Sequence, residues 1–183
     1  MLDASVLYPV WLRDALLRMA EIEAFKVLWS QEILDEMMRN VLADNPHIDP
    51  SIVSRMVGDM NRAFPDALIT GYGALVSIMA NDPKDQHVLA AAVRGRADVI
   101  VTNNLRHFPV SARNPYDIDA QDADTFLTNQ FELTREETVW MLQSWSEDLS
   151  NPPLTPDQIL DILERSVPGF CAAMRSWMKR YPE

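Results

Sequence analysis

Up to about residue 118, apolar residues recur at two alternating periods. Stretches with one apolar face at helical spacing are separated by short β-branched or aromatic runs. Val10 to Ile22 sets Trp11, Ala15, Leu16, Met19 and Ile22 on one side, as in a helix, and Phe25 to Trp29 reads as a strand. Ser30 is a good N-cap for a helix over Gln31 to Ala43, which buries Ile33, Leu34, Met37, Met38, Val41 and Leu42. Asp49-Pro50 opens another helix, to Phe64, with Ile52, Val53, Met56, Val57 and Met60 inside. Residues 67–80 fit a strand at Ala67–Thr70 and a short helix over Ala74–Met79. Asp82 and Pro83 begin a helix that turns Val88, Leu89, Ala92 and Val93 inward, holds Asp85 in its first turn and ends at Gly95. Val99-Ile100-Val101 is the mark of a strand buried on both faces. Past Pro109 the chain reads as loop, with Tyr116–Asp119 as a last short strand.

From Asp119 on, only helices are expected: Ala120–Phe131, a second from a capping box at Thr134–Glu137 to about Leu149, a third from a capping box at Thr155–Gln158, and Phe170–Arg180. The division is therefore an α/β domain over residues 1–118 and an all-helical segment over 119–183. Alternating strands and helices imply a short parallel sheet with helices on both faces. The Trp and Met residues of the second segment read as core or subunit interface, with Trp145 and Trp177 as candidates to face a partner.

The formal charge of −11 over 183 residues is odd for a nucleic-acid binder. It is uneven: residues 1–118 hold 11 Lys/Arg against 15 Asp/Glu, a net of −4, and the remainder 5 against 12, a net of −7. The acids of the second segment read as aids to solubility. Cys171 is alone, which excludes an internal disulfide and a multi-cysteine zinc site. Neither a signal-peptide pattern nor an apolar run of membrane-spanning length is seen, so a cytoplasmic location away from any membrane is expected.

Four polar positions then fall near one rim of such a sheet, where α/β folds bind ligands. Asp3 follows the first strand position, Glu36 lies one turn into the helix after the second, Asp85 begins the helix before the last long strand, and Asn104 follows that strand. Carboxylates and amide oxygens are hard ligands suited to Mg²⁺ or Mn²⁺. Each also has a plainer reading. Asp3 fits a terminal acid, since only Met1 and Leu2 precede it and any strand leading into it is very short or lies upstream. Glu32 and Glu36, four apart, fit a solvated helix face, and His87 and His107 fit loop or core polar residues.

Residues 1–118 resemble the PIN domain, the metal-dependent nuclease domain of VapC-type toxins, in four pieces taken in order: Asp3–Pro9, Ser30–Glu36, Asp82–Ala92 and Ile100–Pro109. The helical segment resembles the extension on one branch of these toxins. The resemblance implies a PIN-like three-layer α/β/α fold and an endoribonuclease that cleaves RNA phosphodiester bonds by metal-activated water. Asp3, Glu36 and Asp85 would bind Mg²⁺ or Mn²⁺, and Asn104 takes the place of a frequent fourth Asp. Thr102 would hold the loop, with Asp82 close by. Arg13, Arg106 and His107 are the preferred contacts to RNA. A small antitoxin and a homodimer are the implied partners. The alternative is a non-catalytic PIN-like module that binds RNA or protein.

Overall fold

A computed structural model describes residues 1–181. The chain forms two compact units, and they are not consecutive in sequence. The first comprises Met1–Pro9 and Val27–Asp122; the second comprises Val10–Lys26 and the chain from Ala123 onward. This division differs from the expected single cut at 118/119. It places the early helix α2 (Val10–Glu21) with the C-terminal helices and carries the first unit on to Asp122.

The first unit opens with α1 (Ala4–Leu7) and continues through β1 (Trp29–Ser30), α3 (Gln31–Asp44), α4 (Pro50–Ala63), β2 (Leu68–Ile69), α5 (Gly73–Val76), α6 (Gln86–Gly95) and β3 (Val99–Val101). After β3 come a 3₁₀ turn at Leu105–His107, α7 (Val110–Arg113), a second 3₁₀ turn and β4 (Asp119–Gln121). β1 pairs with β2 and β3 with β4, both in parallel. Met1–Leu2 lies between the two pairs. The Leu2 amide donates to the Leu28 carbonyl at 2.8 Å, and the Val101 amide donates to the Met1 carbonyl at 2.9 Å. Leu2 bridges Val101 in parallel. Two residues thus satisfy the ladder that leads into Asp3. All ladders being parallel, Asp3, α3, α6 and the Thr102–Asn104 turn share the rim at the strand ends.

Three local expectations are corrected. The helix before β3 starts at Gln86, so Asp85 is its N-cap residue and Asp82 belongs to the preceding turn, where it accepts from the Lys84 amide at 3.0 Å. The left-handed residue closing α6 is Arg96, at φ 54°, and not Gly95. Gly95 serves packing instead: a Cβ there would lie 3.0 Å from Ile69 and 3.2 Å from Leu28. The segment Val110–Arg113, expected as loop, is a helical turn.

The second unit gathers α2 with α8 (Ala123–Leu133), α9 (Arg135–Asp148), α10 (Pro156–Leu163) and α11 (Pro168–Arg180). The capping box at Thr155–Gln158 forms, whereas Thr134 makes none: its hydroxyl donates back to the Gln130 carbonyl of α8. Trp145 is fully buried against Trp11 and under Arg18, so it is core and not a partner-facing residue. Trp177 stacks on Tyr181 and under the Arg135 guanidinium, and Trp140 is the exposed one, at 63 %. No described helix is long and apolar enough to cross a membrane.

The start of α11 has no local side-chain cap. Asp124, distant in sequence, accepts from the Gly169 and Phe170 amides at 3.0 and 2.8 Å. A carboxylate on two free N–H groups at a helix N-terminus combines capping with the helix dipole. Asp124→Ala should cost about 1–2 kcal/mol, seen as a fall in thermal midpoint of roughly 2–4 °C per kcal/mol. Gly169→Ala should also destabilise, because its Cβ would lie 2.9 Å from Asp124 Oδ2. A wild-type midpoint in both variants would show the contact to be idle.

Candidate active site

Asp3 is 2 % exposed and is the N-cap of α1. A buried carboxylate requires donors, and it has three. The Ala4 amide donates to Oδ1 at 2.8 Å; the Ser5 and Thr102 hydroxyls donate to Oδ2 at 2.6 and 2.7 Å. Thr102 Oγ1 in turn accepts from the Asn104 amide at 3.0 Å, and Ser5 Oγ accepts from the Asn103 amide at 3.0 Å. This network sews the turn after β3 onto the end of Met1–Leu2. Asn104 is held through its backbone and stands half-buried at the N-terminal side of the 3₁₀ turn.

Asp85 is 6 % exposed and stands at the N-cap of α6, yet its side chain makes no cap hydrogen bond. Oδ2 lies 2.6 Å from His107 Nδ1 instead. Burial raises the Asp85 carboxyl above the ordinary aspartate range; the His107 contact opposes this, and the Asp3 and Glu36 carboxylates raise it further. Among the described residues, neither Asp3 nor Glu36 joins Asp85 in a group of three ligand atoms within 4.8 Å of one another. Glu36 enters from α3 and is more open, with its side chain 35 % exposed. His87 Nε2 lies 3.7 Å from Glu36 and holds its carboxyl below the usual range.

His87 was missed as part of this group by sequence reasoning. Residues 87–92 are all buried, so α6 has no solvated face there, and a histidine inside such a run needs polar partners. Glu36 and Glu32 stand at ion-pair distance, Glu32 at 3.8 Å from Nδ1, and that nitrogen is buried without a hydrogen-bond partner. The Tyr72 hydroxyl donates to the same Glu32 carboxylate at 3.4 Å. Ser5 was also missed; its place two residues after a buried acid was the available signal.

The remaining expected residues divide. Asp82, Asp85 and His107 offer ligand atoms within 4.8 Å of one another. Arg106 is exposed, and its Nε donates to His107 Nε2 at 3.2 Å. Arg13 lies in the helical unit, on α2, and is 8 % exposed. It is not among the groups that the first unit gathers. Arg113 is tied to Asp119 at 2.7 Å.

A parallel α/β unit with an acidic, partly buried rim presents oxygen donors of the kind that hard cations take. Residues 1–106 match the family model described as PIN domain, and residues 123–176 match the one described as VapC50 C-terminal domain. The chain is 46 % identical over 115 residues to a protein of Mycobacterium tuberculosis named "Putative ribonuclease VapC50", covering 61 % of this chain and 68 % of that one. No solved structure matches the chain. The chain belongs to the PIN-domain family. Within it, this is a VapC-like member that carries a C-terminal extension.

The raised Asp85 carboxyl has a consequence for stability. The native state holds that proton more tightly than the unfolded chain, so the group's contribution is fully present below the ordinary aspartate pKa and is lost as pH rises through the raised value. Asp85→Asn should therefore raise the thermal midpoint of the metal-free protein at neutral pH. The gap should close as the pH falls toward the ordinary aspartate range. A lower midpoint for the variant at neutral pH would contradict this account.

Proposed function

We propose that the protein is a divalent-metal-dependent endoribonuclease, the toxin of a toxin–antitoxin pair acting in the cytoplasm. One observation carries the reading: the carboxylates of Asp3 and Asp85, from separate segments, are both buried at one rim, and Asp82 and His107 bring ligand atoms within 4.8 Å of that of Asp85. Such a cluster of hard oxygen donors suits Mg²⁺ or Mn²⁺. A bound ion of this kind supplies Lewis acidity toward a phosphoryl oxygen and lowers the pKa of a water.

The residues of the chain divide the remaining work. Asp3, Glu36 and Asp85 hold the ion, with Asp82 as an added acid near Asp85. Thr102 and Ser5 keep the Asp3 carboxylate from rotating. Asn104 brings an oxygen without charge, which favours a single ion. Arg106, exposed beside the rim, offers charge to the RNA backbone. Hydrolysis breaks the bond from phosphorus to the 3′-oxygen, leaving a 5′-phosphate and a 3′-hydroxyl. The relative named for ribonuclease activity supports this chemistry. A small antitoxin covering the acidic rim and a homodimer complete the proposal, together with a three-layer α/β/α arrangement of the first unit.

Purified protein with Mn²⁺ should nick structured tRNA and rRNA fragments, and a chelator should stop it. Asp85→Asn and Glu36→Gln should each lower the rate more than about 100-fold, beyond the roughly 10–100-fold loss from removing an outer partner of a metal ligand. RNA left intact with both Mg²⁺ and Mn²⁺ would overturn the nuclease reading.

A further inference from the structure

Asp85 has a partner that the proposed function leaves unused. An aspartate at an N-cap ordinarily turns its carboxylate back onto the N–H groups of its own helix. Asp85 does not. His107 Nδ1 holds its Oδ2 at 2.6 Å. The other ring nitrogen, Nε2, lies 3.2 Å from Arg106 Nε. An arginine N–H only donates, so Nε2 is the acceptor and Nδ1 carries the ring hydrogen. The hydrogen bonds therefore run in one direction, from Arg106 through His107 to Asp85.

The ring is anchored for this task. The His107 amide donates to the Asn104 carbonyl at 2.8 Å, and its carbonyl accepts from the Asp82 amide at 3.2 Å. The Asp85 amide donates to the Asp82 carbonyl at 2.9 Å. The two loops are thus stitched together through the backbone, and the imidazole is presented from a fixed base. Side chains that orient a metal ligand in this way typically govern about 10–100-fold of its affinity.

We infer that His107 is a positioning residue: it draws the Asp85 carboxylate off its helix cap and holds it out for a divalent cation. The inference rests on the reading of Asp85 as a cation ligand. It separates His107 from a plain structural role, because a freed Asp85 can cap α6. Loss of the ring should cost cation affinity and leave the fold intact.

The test is a titration of the metal-free protein with Mn²⁺, followed by the electron paramagnetic resonance signal of the free ion. His107→Ala should weaken binding about 10–100-fold, while the metal-free variant stays folded, with a wild-type far-ultraviolet circular dichroism spectrum and a cooperative melt. His107→Asn, whose amide N–H sits near the place of Nδ1, should recover affinity to within a few-fold of wild type. His107→Gln, whose amide falls nearer Nε2, should not. Wild-type affinity in His107→Ala would overturn the inference. So would His107→Asn as weak as His107→Ala, which would make the imidazole itself a ligand beside Asp82 and Asp85. Loss of the cooperative melt along with affinity would reduce the role to structural support and also overturn it. If the wild type binds no Mn²⁺ and Asp85→Asn behaves alike, the reading of Asp85 as a ligand fails first, and the inference falls with it.

Discussion

Burying the Asp3 carboxylate is the constraint on which the rest of the first unit depends. At 2 % exposure it must be hydrogen-bonded on both oxygens, and it recruits the Ala4 amide and the Ser5 and Thr102 hydroxyls to do so. Those partners come from opposite ends of the segment. Satisfying one acid therefore fixes α1, the end of β3 and the turn that follows. The strands involved are two or three residues long, too short to impose geometry alone. The ladder through Met1–Leu2 and the polar network at its end share the task.

A second constraint is electrostatic. Burial raises the Asp85 carboxyl, and repulsion from the Asp3 and Glu36 carboxylates adds to the rise. Two histidines offset part of it. His107 touches Asp85 directly, and His87 stands between Glu32 and Glu36 at longer range. Both rings are largely shielded, with side chains 22 % and 9 % exposed. Their interactions with the acids are accordingly less screened than those of surface pairs. The rim is preorganised around negative charge and left short of positive charge, the condition under which a hard cation gains most.

Much of this was legible in the order of residues. The β-branched run at Val99–Val101, the Ser30 cap and the capping box at Thr155–Gln158 are local signals, and local hydrogen bonds settle them. The α/β character of the first part and the helical character of the last follow from periodicity. What was not legible depends on partners distant in sequence. Arg96 takes the left-handed position because Gly95 is needed where Ile69 and Leu28 approach. α11 is capped by Asp124, far upstream. α2 joins the C-terminal helices through Trp11 on Trp145 and Arg18 on Asp148, pairings that helical periodicity cannot indicate. At the rim, spacing marked Asp3, Glu36 and Asp85. The roles of Ser5, His87 and the His107 ring needed three dimensions, because each is defined by what it touches.

The central claim is that Asp3, Glu36 and Asp85 together hold one divalent cation. Anomalous diffraction from crystals grown with Mn²⁺ tests it most directly. The account predicts a manganese peak bounded by these three carboxylates, with metal–oxygen distances of about 2.0–2.3 Å. A peak held elsewhere, or none at saturating Mn²⁺, would contradict it.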